Sequence, residues 1–226
     1  MARKQSVGTC MFCGIEMAKG SLKRHLSICE KRHAANEVAD MKMGEAQKLF
    51  HLQIQDSYQP EFWLHLEVNG EATLSDLDHY LRAIWLECCG HLSRFSVGGW
   101  SGEEMPLNRK IERVFLTGDV VTHIYDFGSS SITLIKRVQV RSGKPLARHP
   151  IFLLARNKMP EALCSICNEP ATCYCVQCLI EEAEWFPLCD AHREEHSHTD
   201  YGDPMPLVNS PRVGICGYAG PAEPPY

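Results

Sequence analysis

The sequence predicts an α+β fold: a central mixed or antiparallel sheet with a packed helix, plus small zinc-stabilised modules at both ends. Three observations carry that expectation. First, residues 48–158 hold several stretches of alternating apolar and polar side chains and one segment of helical period. Second, the 12 cysteines are bunched. Cys10, Cys13 and Cys29 lie near the start, Cys88 and Cys89 mid-chain, and the rest from Cys164 onward. Third, the net charge of -5 conceals three unlike regions. Residues 1–33 hold seven Lys/Arg against two Glu, residues 161–226 hold two Arg against 11 Asp/Glu, and the stretch between is almost neutral. Such a division suggests separate units. The expected boundaries are a finger at 1–33, a linker or helix at 34–47, the body at 48–158, a metal module at 161–200 and an extended tail at 201–226.

A chain of 226 residues can bury a real core, so the cysteines are not needed as disulfide staples. No apolar run approaches the roughly 18 residues of a membrane span. Met1-Ala2-Arg3-Lys4-Gln5 leads toward Cys-x-x-Cys rather than into an apolar stretch, so no export signal is visible. The expectation is a cytoplasmic protein with no membrane partner, whose reduced thiols bind metal.

The basic head reads Cys10-x2-Cys13-x11-His25-x3-Cys29. Zinc asks for four nitrogen or sulfur ligands on a tetrahedron. The Cys-x-x-Cys turn supplies two. Ser21 is placed to cap a helix starting at Leu22, and His25 and Cys29, at i and i+4, share its face. The segment resembles a C2HC variant of the ββα zinc finger. Lys19, Lys23, Arg24, Lys31 and Arg32 suit phosphate contact. By alignment with such a finger the base-reading positions fall on Ala18, Ser21 and Arg24, of which only Arg24 is a strong reader. One finger covers about three base pairs, so sequence-specific recognition by this unit alone is not expected.

In the body, Phe50, Leu52 and Ile54 alternate along one strand. In the next, Phe62, Leu64, Leu66 and Val68 oppose Trp63, His65 and Glu67. Both read as half-buried strands. Asn69-Gly70 marks a turn. Thr73-Leu-Ser-Asp76 opens a helix with a capping box. Leu74, Leu77, Leu81, Ile84 and Cys88 carry helical spacing to Gly90, which ends it. Residues 91–97, 114–116, 120–125 and 132–140 read as further strands. Pro60-Glu-Phe-Trp63, Thr73-Leu74-Ser-Asp76-Leu77, Gly90-His91-Leu92-x-x-Phe95 and Tyr125-Asp126-Phe127-Gly128 together resemble the plasmid pRiA4b ORF-3-like family over roughly residues 46–155. The resemblance implies a small α+β domain of bacterial or archaeal type without an established molecular function. It also suggests a mobile-element, defence or regulatory setting. The chain departs from the family after Trp63, where Leu64 and His65 stand in place of basic residues. It departs again after Gly128, where Ser129, Ser130, Ser131 and Thr133 replace acidic and aromatic ones. His91 and Asp126 remain as the candidates for acid/base or metal-dependent hydrolase or nuclease chemistry. A helix cap and a hairpin turn are the simpler readings of the two.

The tail reads Cys164-x2-Cys167-x7-Cys175-x2-Cys178-x10-Cys189-x2-His192-x3-His196-x-His198. Eight ligands in four pairs imply two closed zinc sites. The pattern resembles a B-box finger. That resemblance implies a cross-brace in which Cys164, Cys167, Cys189 and His192 hold one ion and Cys175, Cys178, His196 and His198 the other. Cys173 stands as an alternative to Cys175. Cys88, Cys89 and Cys216 read as small core residues. The apolar stretch after Pro204 is expected to pack back on the body as an extended strand.

Three zinc ions are therefore expected. The leading functional reading is a non-enzymatic zinc-binding adaptor for a protein partner. A nucleic-acid-binding regulator acting through the head is the alternative.

Overall fold

The computed structural model describes residues 6–198 and 200–226. The fold is α+β and is built on one nine-stranded sheet, antiparallel at every pairing. In chain order the elements are β1 (Val7–Cys10), β2 (Glu16–Ala18), α1 (Lys19–Ile28), α2 (Glu30–Asp40), β3 (Gln47–Asp56), β4 (Trp63–Asn69) and α3 (Leu74–Leu81). They continue with β5 (Ser93–Ser96), β6 (Glu104–Met105), α4 (Ile111–Val114), β7 (Val120–Tyr125), β8 (Ser131–Gly143) and β9 (Ile151–Asn157). The sheet order is β2-β1-β9-β4-β3-β8-β7-β5-β6. A second sheet of three short strands holds β10 (Cys173–Tyr174), β11 (Pro187–Leu188) and β12 (Met205–Pro206), with α5 (Val176–Glu181) and α6 (Asp190–Glu195) beside it.

The main core lies on one face of the large sheet. Phe50, Leu52, Ile54, Leu64, Leu66 and Val68 meet Leu74, Leu77, Leu81, Ile84 and Trp85 there. The capping box at Thr73 forms: its hydroxyl accepts from the Asp76 N–H at 3.2 Å, and its own N–H donates to Asp76 Oδ2 at 2.7 Å. The helix that was expected to run to Cys88 stops short. After Leu81 it widens into a π-helical turn, Arg82–Leu86. Arg82 is held there by Asp78 Oδ2 (2.6 Å) and Glu87 Oε2 (2.8 Å).

The reverse face differs from expectation. Trp63, His65 and Glu67, assigned to the outward side of a half-buried strand, are all buried. The head covers them. Leu22 and Leu26 of α1 pack with Trp63, Leu154 and Ala155, and Arg32 reaches Glu67. The head is joined to the sheet edge as well, since β1 pairs with β9 through Gly8–Asn157, Thr9–Arg156 and Cys10–Ala155. Gly8 permits this approach: a Cβ there would overlap the Trp63 ring and the Arg156 carbonyl.

Other expectations are corrected locally. Residues 114–116 do not form a strand; Val114 closes α4 and Phe115 packs into the core. Period alone does not separate so short an apolar run into helix or strand. Helix α1 begins at Lys19 rather than Leu22, with Ala18 as the capping residue. The Lys19 N–H donates to the Ser6 carbonyl at 3.1 Å, so Ser21 falls inside the helix and caps nothing. After Pro204 the chain forms only the short β12, paired with β10 of the small sheet, and residues 207–226 return to the body without a strand. They turn repeatedly through left-handed Gly214, Cys216, Gly217 and Gly220.

Candidate metal centres

Each predicted ligand quartet converges. In the head, the Gly14 N–H donates to the Cys10 carbonyl at 2.9 Å and the Cys10 N–H to the Ile15 carbonyl at 3.0 Å, which folds the Cys10-x2-Cys13 knuckle. Helix α1 brings His25 to it. Cys29 sits at the junction of α1 and α2 with φ -68° and ψ 110°, off the helical path, so the chain bends where its thiol is needed. Cys10 Sγ lies 4.0 Å from Cys29 Sγ, and Cys13 Sγ lies 3.2 Å from His25 Nε2. Tetrahedral zinc with Zn–S near 2.3 Å and Zn–N near 2.05 Å sets ligand atoms about 3.5–3.8 Å apart. The quartet is close to that spacing.

In the tail, Cys164, Cys167, Cys189 and His192 form one group and Cys175, Cys178, His196 and His198 the other. The first is closed by contacts of 3.6 Å (Cys164 to His192 Nδ1), 3.7 Å (Cys167 to Cys189) and 3.3 Å (Cys189 to His192 Nδ1). The second shows 3.5 Å from Cys178 Sγ to His196 Nε2, and 3.2 and 3.7 Å from His198 Nδ1 to Cys178 and Cys175. Cys175 caps α5, accepting from the Cys178 N–H at 3.4 Å. Cys173 points elsewhere, donating to the Leu188 carbonyl at 3.6 Å. These are three Cys/His quartets able to hold metal ions, and each offers four protein ligands.

No family model matches the chain, and no curated protein matches it. Among solved structures it is similar to a protein of unknown function, MM3350 from Methanosarcina mazei Go1. The identity is 20%, the TM-score 0.40, and the match covers 46% of this chain and 66% of that one. The matched part of the chain thus spans just under two thirds of that structure's length, and so low a score carries no argument.

The thiols of the quartets differ in how readily they ionise. Burial pushes Cys10 up to about 11. Burial and the neighbouring Cys175 push Cys178 up to about 12. In Cys164 burial opposes ionisation, but the N–H groups of Cys189, Ile166 and Cys167 outweigh it and draw the thiol down to about 6. A divalent ion at such a cluster would bind the thiolate form of its cysteines.

The basic residues of the head do not share one free face. Arg32 is buried, with Nη1 donating to the Leu26 carbonyl at 2.8 Å and Nη2 3.7 Å from Glu67. Lys19 is half-buried, with Nζ donating to Gln55 Oε1 and to the Pro60 carbonyl. Burial draws it down to about 8. Lys23 is half-buried, while Arg24 and Lys31 are exposed. The cause is the docking of the head on the sheet, which a linear reading of charge cannot anticipate.

His91 Nε2 and Asp126 Oδ2 do come together, 3.6 Å apart. Asp126 adopts φ 64° in the hairpin turn, and its Oδ1 accepts from the Gly128 and Ser129 N–H groups. Its Oδ2 accepts from buried Arg212 at 2.5 Å. That ion pair occupies the carboxylate, so Asp126 is not a free base. Cys89 and Cys216 are exposed rather than core residues, while Cys88 is half-buried and packs against the main core. Cys88-x2-His91 repeats the spacing of Cys189-x2-His192, but local spacing does not single it out because the second cysteine partner lies 125 residues beyond His91.

Proposed function

We propose that this protein is a non-enzymatic, zinc-binding adaptor whose acidic end docks a protein partner with a basic surface. The observation that carries this reading is the three Cys/His quartets. A catalytic zinc keeps an open position for water, whereas four protein ligands close the sphere. Zinc is the ion suited to sulfur-rich tetrahedral sites with imidazole. The body, assigned by resemblance to the pRiA4b ORF-3-like family, serves as the rigid platform. The end carries 11 Asp/Glu against two Arg, and one of those, Arg212, is consumed by Asp126. Arg193 is left as its exposed cation. Exposed Leu163, Ile166, Ile180 and Trp185 supply apolar contact area beside that charge. The field repels phosphate and attracts basic protein surfaces.

The test is elemental analysis with native mass spectrometry of the full chain purified from its source under reducing conditions. Zinc at each quartet and a co-purifying basic protein released by salt support the proposal. Absence of metal with disulfides in its place overturns it. Bound nucleic acid, lost with a steep salt dependence and abolished by Arg24→Ala with Lys31→Ala, would favour the nucleic-acid reading instead.

A further inference from the structure

Three further ligand atoms meet outside the quartets. Cys88, His91 and Cys216 each offer one, all within 4.8 Å of one another. They come from distant parts of the chain. Cys88 lies just past the π-helical turn, and its N–H donates to the Tyr125 hydroxyl at 3.4 Å. The chain then reverses at Gly90, whose φ is 71° and whose N–H donates to Glu87 Oε1 at 2.5 Å. That turn presents His91, with its ring edge-on to Tyr125 at 5.7 Å. Cys216 arrives from the C-terminal segment and places its Sγ 3.7 Å from His91 Nε2. Cys216 holds a left-handed φ of 52° between Gly214 and Gly217, which are also left-handed. A non-glycine residue in that conformation costs free energy unless its surroundings compensate.

The surroundings of this trio are built rather than incidental. Arg212 is fully buried. Its Nη1 donates to the Ser129 carbonyl (2.8 Å) and to Ser131 Oγ (3.0 Å), and its Nη2 donates to Asp126 Oδ2 (2.5 Å) and Cys88 Sγ (3.4 Å). Asp126 Oδ2 also stands 3.6 Å from His91 Nε2 and 3.9 Å from Cys216 Sγ. Two thiolates and one carboxylate sum to -3. A divalent ion and the Arg212 guanidinium sum to +3, so the occupied assembly is neutral.

We propose that Cys88, His91 and Cys216 form a fourth metal site, for zinc, held by three protein ligands and open at the fourth position to water or a small anion. Two sulfurs and an imidazole are the donor set that borderline-soft divalent ions select. His91 and Cys216 are partly open to solvent, so the vacant coordination position faces exchangeable ligands. Arg212 holds Asp126 Oδ2 from the buried side at 2.5 Å, so the carboxylate balances charge beside the site rather than acting as a base. The ion also ties the C-terminal segment to the body. This site stands independently of the three closed quartets.

The full chain is stripped, reconstituted with zinc or cobalt(II), and counted by elemental analysis. The wild type is expected to take four equivalents. Cys88→Ser, His91→Ala and Cys216→Ser are each expected to take three, while Cys89→Ser, an exposed neighbour, keeps four. Cobalt in an open site changes its visible absorption when azide is added; closed quartets do not respond. The azide response is expected in the wild type and in Cys89→Ser, and lost in Cys216→Ser. A wild-type count of three, or cobalt spectra indifferent to azide, overturns the proposal. A count of three would leave the quartets standing, whereas a count of one or none would count against the quartets as well. A Cys88–Cys216 disulfide in protein purified under reducing conditions would also overturn it.

Discussion

The head and the tail module carry similar metal-ligand chemistry on different foundations. In the head, ligands Cys10 and Cys29 belong to a hydrophobic cluster with Leu22, Leu26, Trp63, Leu154 and Ala155, and β1 is a strand of the large sheet. In the tail module the buried cluster consists of Cys164, Cys173, Cys175, Cys178 and Leu188, so it is almost entirely cysteine. Its strands are two residues long and its helices six. Ligand spacing therefore says where a metal could be held, while the neighbouring apolar area says whether the segment would need that metal to fold.

Metal removal separates the two ends most strongly. A structural zinc contributes about 10–16 kcal/mol of apparent binding free energy, far more than the single buried leucine of the tail module supplies. Chelation is expected to abolish hydrogen-exchange protection in residues 164–198 while β3, β4 and β8 stay protected. Protection at Gly8 and Cys10 should fall only in part, because these residues sit in the ladder with β9. Equal loss at both ends would break the comparison.

Side-chain truncation tests the same contrast from the apolar side. Trp63→Ala is expected to cost about 3–5 kcal/mol of global stability in denaturant melts. It should also loosen the head, because Trp63 is wedged under Leu22 and Leu26 and its Nε1 donates to Ser6 Oγ at 2.8 Å. Glu67→Ala strands the buried Arg32 and the bidentate Arg141 contacts (2.9 and 2.8 Å). A loss of roughly 3 kcal/mol or more is expected. Neither change should alter protection in the tail module.

Acid titration should weaken the head–sheet contact next. His51 Nε2 and His65 Nδ1 lie 2.8 Å apart beneath the head. Burial, reinforced by their mutual proximity, holds His51 down to about 2. Burial and the charges of Lys19, Lys23 and Arg32 hold His65 at about 3. The unfolded chain therefore binds protons that the folded chain refuses. Stability is full above pH 6.5 and falls as pH drops below it, by up to about 1.4 kcal/mol per pH unit for each histidine. Urea melts between pH 7 and pH 4 check this. His51→Phe should flatten the slope, and an unchanged slope would show that the pair is not the source.

The smallest effect is expected at the surface. Arg24→Ala with Lys31→Ala should change stability by less than about 0.5 kcal/mol, because neither side chain is buried. A larger loss would mean that the head's exposed face packs on something after all.

Several features were legible from local chemistry. The capping box at Thr73, the alternation in β3 and β4 and the Cys-x2-Cys and Cys-x2-His pairs announce themselves within a few residues. The quartets were legible too, because their members keep regular spacings. The reverse face was not legible. Alternation in β4 identifies two faces but cannot say that a distant helix pair will cover the second one. β9, with the apolar run Ile151-Phe152-Leu153-Leu154-Ala155, is not legible for the same reason: it is a central strand buried against both faces, which leaves no period to read.

By itself, then, the sequence determined the α+β class, the placement of Cys/His groups at both ends and the division of charge, since all three rest on residue type and short spacing. Only the tertiary structure decided that the head seals one face of the sheet and turns Arg32 and Lys19 inward. It alone brought Cys216 to Cys88 and His91. Those outcomes depend on contacts between segments far apart in the chain, where burial and chain reversal, rather than local preference, set which side chains meet.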